Sequence, residues 1–146
     1  MDRQNPENTE TLAENLRTWA DGDSLDMAAV ELLITHGEWL TRPDFQRNLE
    51  PYFDANGRPA TAIYWQKVSG ALNRGSLPAS SSAATVLRIA LSLTNSLPVD
   101  LSDVVGLDAA NTAAVLRALA VATQHTDRIT VTLAPRQLPG WLKEGS

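Results

Sequence analysis

Hydrophobic residues recur at helical spacing along most of this chain, and polar or glycine-containing breaks separate the runs. The first run places Leu12, Leu16 and Trp19 on a single stripe, which predicts a helix from a Thr9 cap to about Ala20. An apolar stripe on one side predicts that this helix packs against a core and exposes its other side to water.

Two further helices are predicted in the first third of the chain. The run after Asp23 predicts a helix that begins at this cap and ends near Gly37, because glycine favours a helix stop. A short third helix is predicted after a Thr41 cap, with Phe45 and Leu49 on one face.

A break at residues 54–60, which contains Asn-Gly and Arg-Pro pairs, separates these helices from the later ones. Trp65, Val68 and Leu72 then have helical spacing, and Gly75 follows them. This pattern predicts a fourth helix that stops at the glycine.

The two most apolar helices are predicted at residues 83–94 and 109–124, the second after an Asp108 cap. Each has one charged residue, Arg88 in the first helix and Arg117 in the second. Because a helix that is apolar nearly all round must be covered by protein, we expect both at the centre of the core or at a subunit interface. A lone arginine there needs an acidic partner, or it extends its charge to solvent.

Residues 129–133 alternate Ile, Val and Leu with two threonines, which is the period of a half-buried β-strand. A single strand leaves its backbone unpaired, and the best internal partner is the segment 61–64. The sequence therefore predicts a mainly α fold: a single compact domain of about six helices with a short two-stranded β ribbon, or with a strand that pairs across a dimer axis. We expect a disordered arm at 1–8, the domain at 9–138 and a C-terminal tail at 139–146.

Composition narrows the classes of protein. The apolar runs are short and the N-terminus is polar, so neither a membrane span nor a signal peptide is expected, and the sequence predicts a soluble, cytoplasmic protein. The chain has no cysteine, which excludes disulfides and thiolate chemistry.

The net charge of −5 is unevenly distributed: residues 1–59 carry twelve acids and five bases, and residues 60–146 carry five acids and seven bases. A weakly positive second half is too dilute to bind nucleic acid unless the fold gathers it on one face.

The sequence predicts no cofactor, no metal site and no enzyme activity. The acids of "DGDSLD" lack the glycine and glutamate that an EF-hand loop requires, and the eight glycines are scattered singly instead of forming a phosphate loop. His36 and His125 have no acid, serine or second histidine at a helical offset. The remaining enzyme hypothesis is a site built from dispersed carboxylates, such as Glu31, Glu38 or Asp103.

Residues 100–124 have the outline of a helix-turn-helix, with a short helix near 100–105, a glycine break and a second helix. A DNA-reading helix needs exposed hydrogen-bond donors, and this one offers only Asn111, Thr112 and Arg117. Nucleic acid is therefore not the favoured partner.

The function that the sequence favours is a non-catalytic protein-interaction module that associates with itself as a homodimer. The alternative is a helix-turn-helix-like DNA-binding regulator that uses residues 100–124. A small-molecule ligand is left open. The candidate interaction residues are Arg88, Arg117, Val121 and Trp141.

Three stretches, "ELLITHGEWLTRPDF", "LPASSSAATVLRIALSL" and "PVDLSDVVGLDAANTAAVLRAL", resemble segments of small uncharacterised actinobacterial helical proteins with no assigned function. The similarity covers about residues 28–122, and the shared residues are mainly of helix-core types. The resemblance implies a single helical domain and brings no activity, cofactor or catalytic residue with it.

Overall fold

The elements of the fold are arranged around one central helix. The computed structural model describes residues 6–137 and residue 140. They form a single compact domain that is mainly α-helical and has one two-stranded antiparallel sheet, as predicted. The elements are α1 (Pro6–Ala20), α2 (Ser24–His36), a 310 helix (Trp39–Thr41), α3 (Pro43–Gln46), β1 (Leu49–Phe53), β2 (Pro59–Ile63), α4 (Trp65–Asn73), α5 (Ser81–Asn95), a second 310 helix (Leu101–Gly106) and α6 (Ala109–Ala122).

Helix α2 is the central helix, and α1, α5 and α6 all pack against it. The predicted cap is confirmed, since the Asp23 carboxylate accepts hydrogen bonds from the N–H groups of Leu25 and Asp26. Gly37 follows the helix with a φ of 85°, a left-handed conformation that glycine adopts readily. The buried residues of α2 are Ala28, Ala29, Val30, Leu32 and Leu33.

The two helices that the sequence marks as most apolar pack on α2 and contact each other little. Helix α5 buries most of its apolar side chains and leaves Arg88 exposed. Helix α6 buries a face of small residues, which includes Ala114 and Ala118, and leaves part of its opposite face exposed. The central position therefore belongs to α2, and the described residues leave part of α6 uncovered.

Buried tryptophans connect the neighbouring elements to this centre. The indole N–H of Trp39 donates to the Ala83 carbonyl at 2.9 Å, and the Trp39 ring lies 5.9 Å from that of Phe45. The indole N–H of Trp65 donates to the Asp26 carboxylate at 3.0 Å. Because each large ring also satisfies its N–H group, these contacts fix α4, α5 and the first 310 helix against the core.

The β ribbon is a local hairpin, so the predicted pairing of residues 61–64 with residues 129–133 is wrong. Strand β2 pairs with β1, in a register that places Leu49 opposite Ile63. Strand β1 is hard to recognise in the sequence because proline, here Pro51, argues against a strand. The local pairing is favoured over the distant one because closing a short loop costs less chain entropy.

The hairpin turn is organised by Asp54. Its carboxylate accepts hydrogen bonds from the backbone N–H groups of Asn56 and Arg58 and from the Arg58 guanidinium. These hydrogen bonds hold the pKa of Asp54 below its ordinary value, and the bond from the Arg58 backbone N–H contributes most. Gly57 has a φ of 77°. The Asn-Gly pair that predicts a break is thus the turn of a β-hairpin.

Several helix bounds differ from the prediction. Helix α1 begins at Pro6, so residues 6–8 of the predicted arm are helical. Helix α3 is a single turn that follows Arg42, and the Thr41 hydroxyl donates back to the Glu38 carbonyl instead of capping it. Leu49 lies in β1 and not on α3.

The ends of the chain are only partly described. Residues 1–5 of the predicted arm lie outside the described residues. So do most residues of the predicted tail, including Trp141.

Arg42 and Asp44 form an ion pair next to Trp39. The Arg42 guanidinium lies 4.4 Å from the Trp39 ring centre, and it donates to both carboxylate oxygens of Asp44 at 3.0 and 2.6 Å. The Arg42 hydrogen bonds hold the pKa of Asp44 below its ordinary value of 3.8. A carboxylate with a lowered pKa stabilises the fold above pH 3.8, and this stabilisation is lost as the pH falls through the folded-state value.

We therefore expect Asp44→Asn to lower the free energy of unfolding at pH 7 by about 1 kcal/mol or less, since solvent screens the pair. The difference from the unaltered chain should disappear in acid, where Asp44 is protonated in both states. Urea unfolding at the two pH values measures it, with Asp21→Asn as an exposed control. A difference that persists undiminished in acid would contradict the assignment to ionic pairing.

Candidate functional site

The chain reverses direction after α6 and returns alongside that helix. Gln124 adopts a φ of 62°, a left-handed conformation that is uncommon for residues other than glycine. The His125 N–H donates to the Ala120 carbonyl, and the Ile129 N–H donates to the His125 carbonyl. Arg117 then binds the returning segment, since its Nε donates to the Val131 carbonyl at 3.0 Å. One arginine on α6 therefore fixes the position of residues 129–133.

The returning segment leaves its backbone largely unpaired. From residue 130 to residue 137, no backbone-to-backbone hydrogen bond joins the segment to any other described residue. Thr130 and Thr132 are exposed, Val131 is half-buried, and the side chains of Ile129 and Leu133 are 49% and 52% exposed. The segment that the sequence predicts as a strand is therefore not one of the strands of the structure, and no described strand pairs with it.

Helix α6 also exposes an aliphatic stripe, on a different face from Arg117. Leu116 and Leu119 are 48% and 45% exposed, although they lie in the middle of a 14-residue helix. The exposed residues Thr112 and Thr123 extend the same stripe at helical spacing. We call Leu116, Leu119 and the segment 129–133 the α6 surface. Its side chains carry no charge.

A cavity of about 330 Å³ lies between α2, α6 and the returning segment. Ala114, Ala120 and Val121 contribute its apolar lining, and Glu31 and Arg117 contribute its charges. Val121 also lines a second, larger opening of about 570 Å³ beside Asp127. The predicted interaction residues Arg117 and Val121 are therefore brought together at this cavity.

The carboxylate in this cavity already has a partner. Arg17 of α1 donates to both oxygens of Glu31, from Nε at 2.7 Å and from Nη2 at 3.1 Å. The Glu31 hydrogen bond and charge raise the pKa of Arg17. This pairing neutralises Glu31 locally.

The two lone arginines have different environments. Arg117 is half-buried and binds a backbone carbonyl, so the acid that the sequence leads us to expect is replaced by a peptide oxygen. Arg88 is exposed and lines a separate cavity of about 180 Å³ with Thr85 and Asp103. Among the ion pairs between described residues, neither arginine takes part. Arg88 is thus not part of the α6 surface.

The start of α6 is tied to the end of α2 by one polar contact. His36 Nδ1 lies 3.1 Å from the Asn111 amide oxygen, so this ring nitrogen donates the hydrogen bond. His36 Nε2 is the one buried side-chain nitrogen or oxygen without a partner among the described residues. The α2–α6 junction therefore contains one buried polar atom that no described residue satisfies. The sequence shows no link between these residues, because they lie far apart in the chain.

The dispersed carboxylates of the enzyme hypothesis do not come together. Glu31 and Asp103 line different cavities, and Glu38 is exposed next to the first 310 helix. His125 is exposed in the turn after α6. The described acids therefore form no cluster that could act as a catalytic site. The α6 surface is the stronger candidate for a functional site.

Comparisons with known proteins find no matching protein family, no matching curated protein and no matching solved structure. Within the described part of the chain, none of the helices combines the length and the apolar character needed to cross a bilayer. Function must therefore be inferred from the surface itself.

The different surroundings of the two arginines predict different effects of the same substitution. Arg117→Met removes a charged donor from the Val131 carbonyl, so we expect the free energy of unfolding to fall by about 1–2 kcal/mol. Arg88→Met changes an exposed side chain and should cost less than about 0.5 kcal/mol. Urea unfolding of the two variants tests this, and equal losses would show that Arg117 does not hold the returning segment.

Proposed function

We propose that this protein is a non-catalytic association module of the cytoplasm that forms a homodimer through the α6 surface. The observation that carries the proposal is the exposure of Leu116 and Leu119 on the helix whose Arg117 binds a segment, residues 130–137, that makes no backbone-to-backbone hydrogen bond with other described residues. Singly exposed apolar side chains are common on proteins, whereas apolar side chains next to unpaired backbone form a surface that another chain can complete.

The exposed apolar side chains of the α6 surface could contribute enough free energy to stabilise a dimer. Covering a half-exposed leucine or isoleucine contributes about 1 kcal/mol, because full burial is worth roughly 1.5–3 kcal/mol. Four such side chains lie on the α6 surface: Leu116, Leu119, Ile129 and Leu133. Together with surrounding threonines they supply the centre of an interface, for which a stable dimer needs about 800 Å² on each partner.

Charge favours a second copy as the occupant of this surface. The acids concentrate in residues 1–59, so two copies that meet through α1 and the start of α2 would repel each other. The side chains of the α6 surface are uncharged, and Arg117 is engaged with the Val131 carbonyl. Two copies can therefore bring these surfaces together without placing like charges at the centre of the contact.

The DNA-binding alternative draws less support from the geometry. The stripe that α6 exposes consists of Thr112, Leu116, Leu119 and Thr123, which offers two hydroxyl groups and no cation. Sequence-specific contacts in the major groove use donors such as arginine, lysine, asparagine and glutamine. The element before α6 is a 310 helix with Leu101 and Val105 exposed, and it contains no lysine or arginine.

Charged substitutions on the α6 surface should therefore dissociate the dimer. We expect Leu116→Glu combined with Leu119→Glu to weaken self-association by about a hundredfold or more, because the carboxylates lose hydration when the surface is covered. Light scattering coupled to size-exclusion chromatography over a dilution series measures the change.

The matched control is Leu101→Glu combined with Val105→Glu, which adds the same charge to residues that are 72% and 90% exposed on another element. It should leave the association unchanged. Equal weakening by both double variants would show that net charge, and not the α6 surface, governs association, and a strictly monomeric unaltered chain would contradict the homodimer.

A further inference from the structure

We infer that two copies of this chain pair through residues 129–133 as an antiparallel β ribbon, with the two-fold axis passing through Val131. The inference rests on the homodimer proposed above and concerns only the contacts of residues 129–133, because Leu116 and Leu119 lie on α6 and are not part of the ribbon. It starts from the absence of backbone-to-backbone hydrogen bonds, among described residues, along a segment that has the composition of a strand.

The Arg117 contact determines which edge of the segment is free. In β geometry, the N–H and C=O groups of one residue point to the same edge, and those of the next residue point to the other. The Val131 carbonyl points towards α6, where it accepts from Arg117 Nε. In the extended conformation that the ribbon requires, the N–H and C=O groups of Thr130 and Thr132 lie on the edge that faces away from α6, and both residues are exposed.

This free edge determines the hydrogen bonds of the ribbon. With the axis at Val131, Thr130 of each copy lies opposite Thr132 of the other. These two positions exchange N–H and C=O groups as hydrogen-bonded pairs, and Val131 faces its own copy as a non-hydrogen-bonded pair. The symmetric arrangement thus uses the groups on the free edge and leaves the Arg117 contact intact.

The side chains favour the same register. It places Ile129 opposite Leu133, Val131 opposite Val131, and threonine opposite threonine, so apolar residues share one face and hydroxyl groups share the other. Charge disfavours the neighbouring symmetric register centred on Thr132, because that register sets Arg128 directly opposite Arg136.

The absence of native cysteine allows a direct test of the register. Val131→Cys should form an intermolecular disulfide on mild oxidation, because facing residues of a non-hydrogen-bonded pair have Cα atoms about 4.5 Å apart, which a disulfide spans. Leu133→Cys is the control. Its two copies would lie roughly 14 Å apart along the ribbon, so it should not cross-link with itself.

A mixture of the Ile129→Cys and Leu133→Cys chains should cross-link as a heterodimer, since these positions face each other. A second pair of variants removes backbone donors without adding a thiol. Thr132→Pro should weaken association about thirtyfold, because each dimer loses two N–H donors on the free edge. Leu133→Pro removes an N–H on the α6 edge and should have a much smaller effect.

The outcomes separate this inference from the homodimer itself. If the unaltered chain is dimeric and Val131→Cys does not cross-link, or cross-links no better than Leu133→Cys, the ribbon is overturned and the homodimer stands. Equal weakening by the two proline variants also overturns the ribbon. If the unaltered chain remains monomeric, both proposals fail.

Discussion

Helix α6 is apolar on more sides than the rest of the described chain can cover, and the organisation of this protein follows from that constraint. Helix α2 has the same apolar character, and it is enclosed by α1, α5 and α6. Helix α6 has α2 on one side, the returning segment along part of another, and Leu116 and Leu119 in solvent. The cost of exposing these leucines is the driving force for association in our proposal.

In our proposal, the backbone hydrogen bonds of the returning segment determine how the two copies are oriented. Apolar burial alone would let two α6 helices meet at many angles, because leucine contacts have little geometric preference. Backbone hydrogen bonds require a fixed register and a fixed edge. In the proposed ribbon, Arg117 determines that edge: it holds the Val131 carbonyl on the α6 side, so the polar groups of Thr130 and Thr132 face outward. A single side-chain contact thereby links the packing of one subunit to the geometry of the proposed dimer.

The sequence predicts the local features of this fold well. The Asp23 and Asp108 caps are confirmed, since each carboxylate accepts from N–H groups within three residues of itself and depends only on nearby sequence. The mainly α class and the single domain follow from helical periodicity that extends over most of the chain. The main local feature that the sequence does not predict is the hairpin. Its Asn-Gly turn is recognisable, but Pro51 argues against a strand at β1.

The features that depend on distant residues could not be predicted. The sequence shows that Arg117 needs a partner, and it cannot show that the left-handed turn at Gln124 brings the Val131 carbonyl to it. The contact of His36 with Asn111 also arises only after α2 and α6 pack together. The alternating pattern of residues 129–133 is visible in the sequence, whereas the sequence does not show that β2 pairs with β1 and leaves these residues without a partner strand.

The most direct test is the exchange of the Thr130 and Thr132 backbone amides with deuterated water, measured by NMR over a range of protein concentrations. In a single copy these amides form no hydrogen bond with the described backbone, so they should exchange rapidly in dilute solution. Our proposal predicts that both become protected as the concentration rises, with the Leu133 amide changing less. Rapid exchange of both threonine amides at every concentration, in a sample where the chain is concentrated enough to associate, would contradict the claim that a second copy completes this surface.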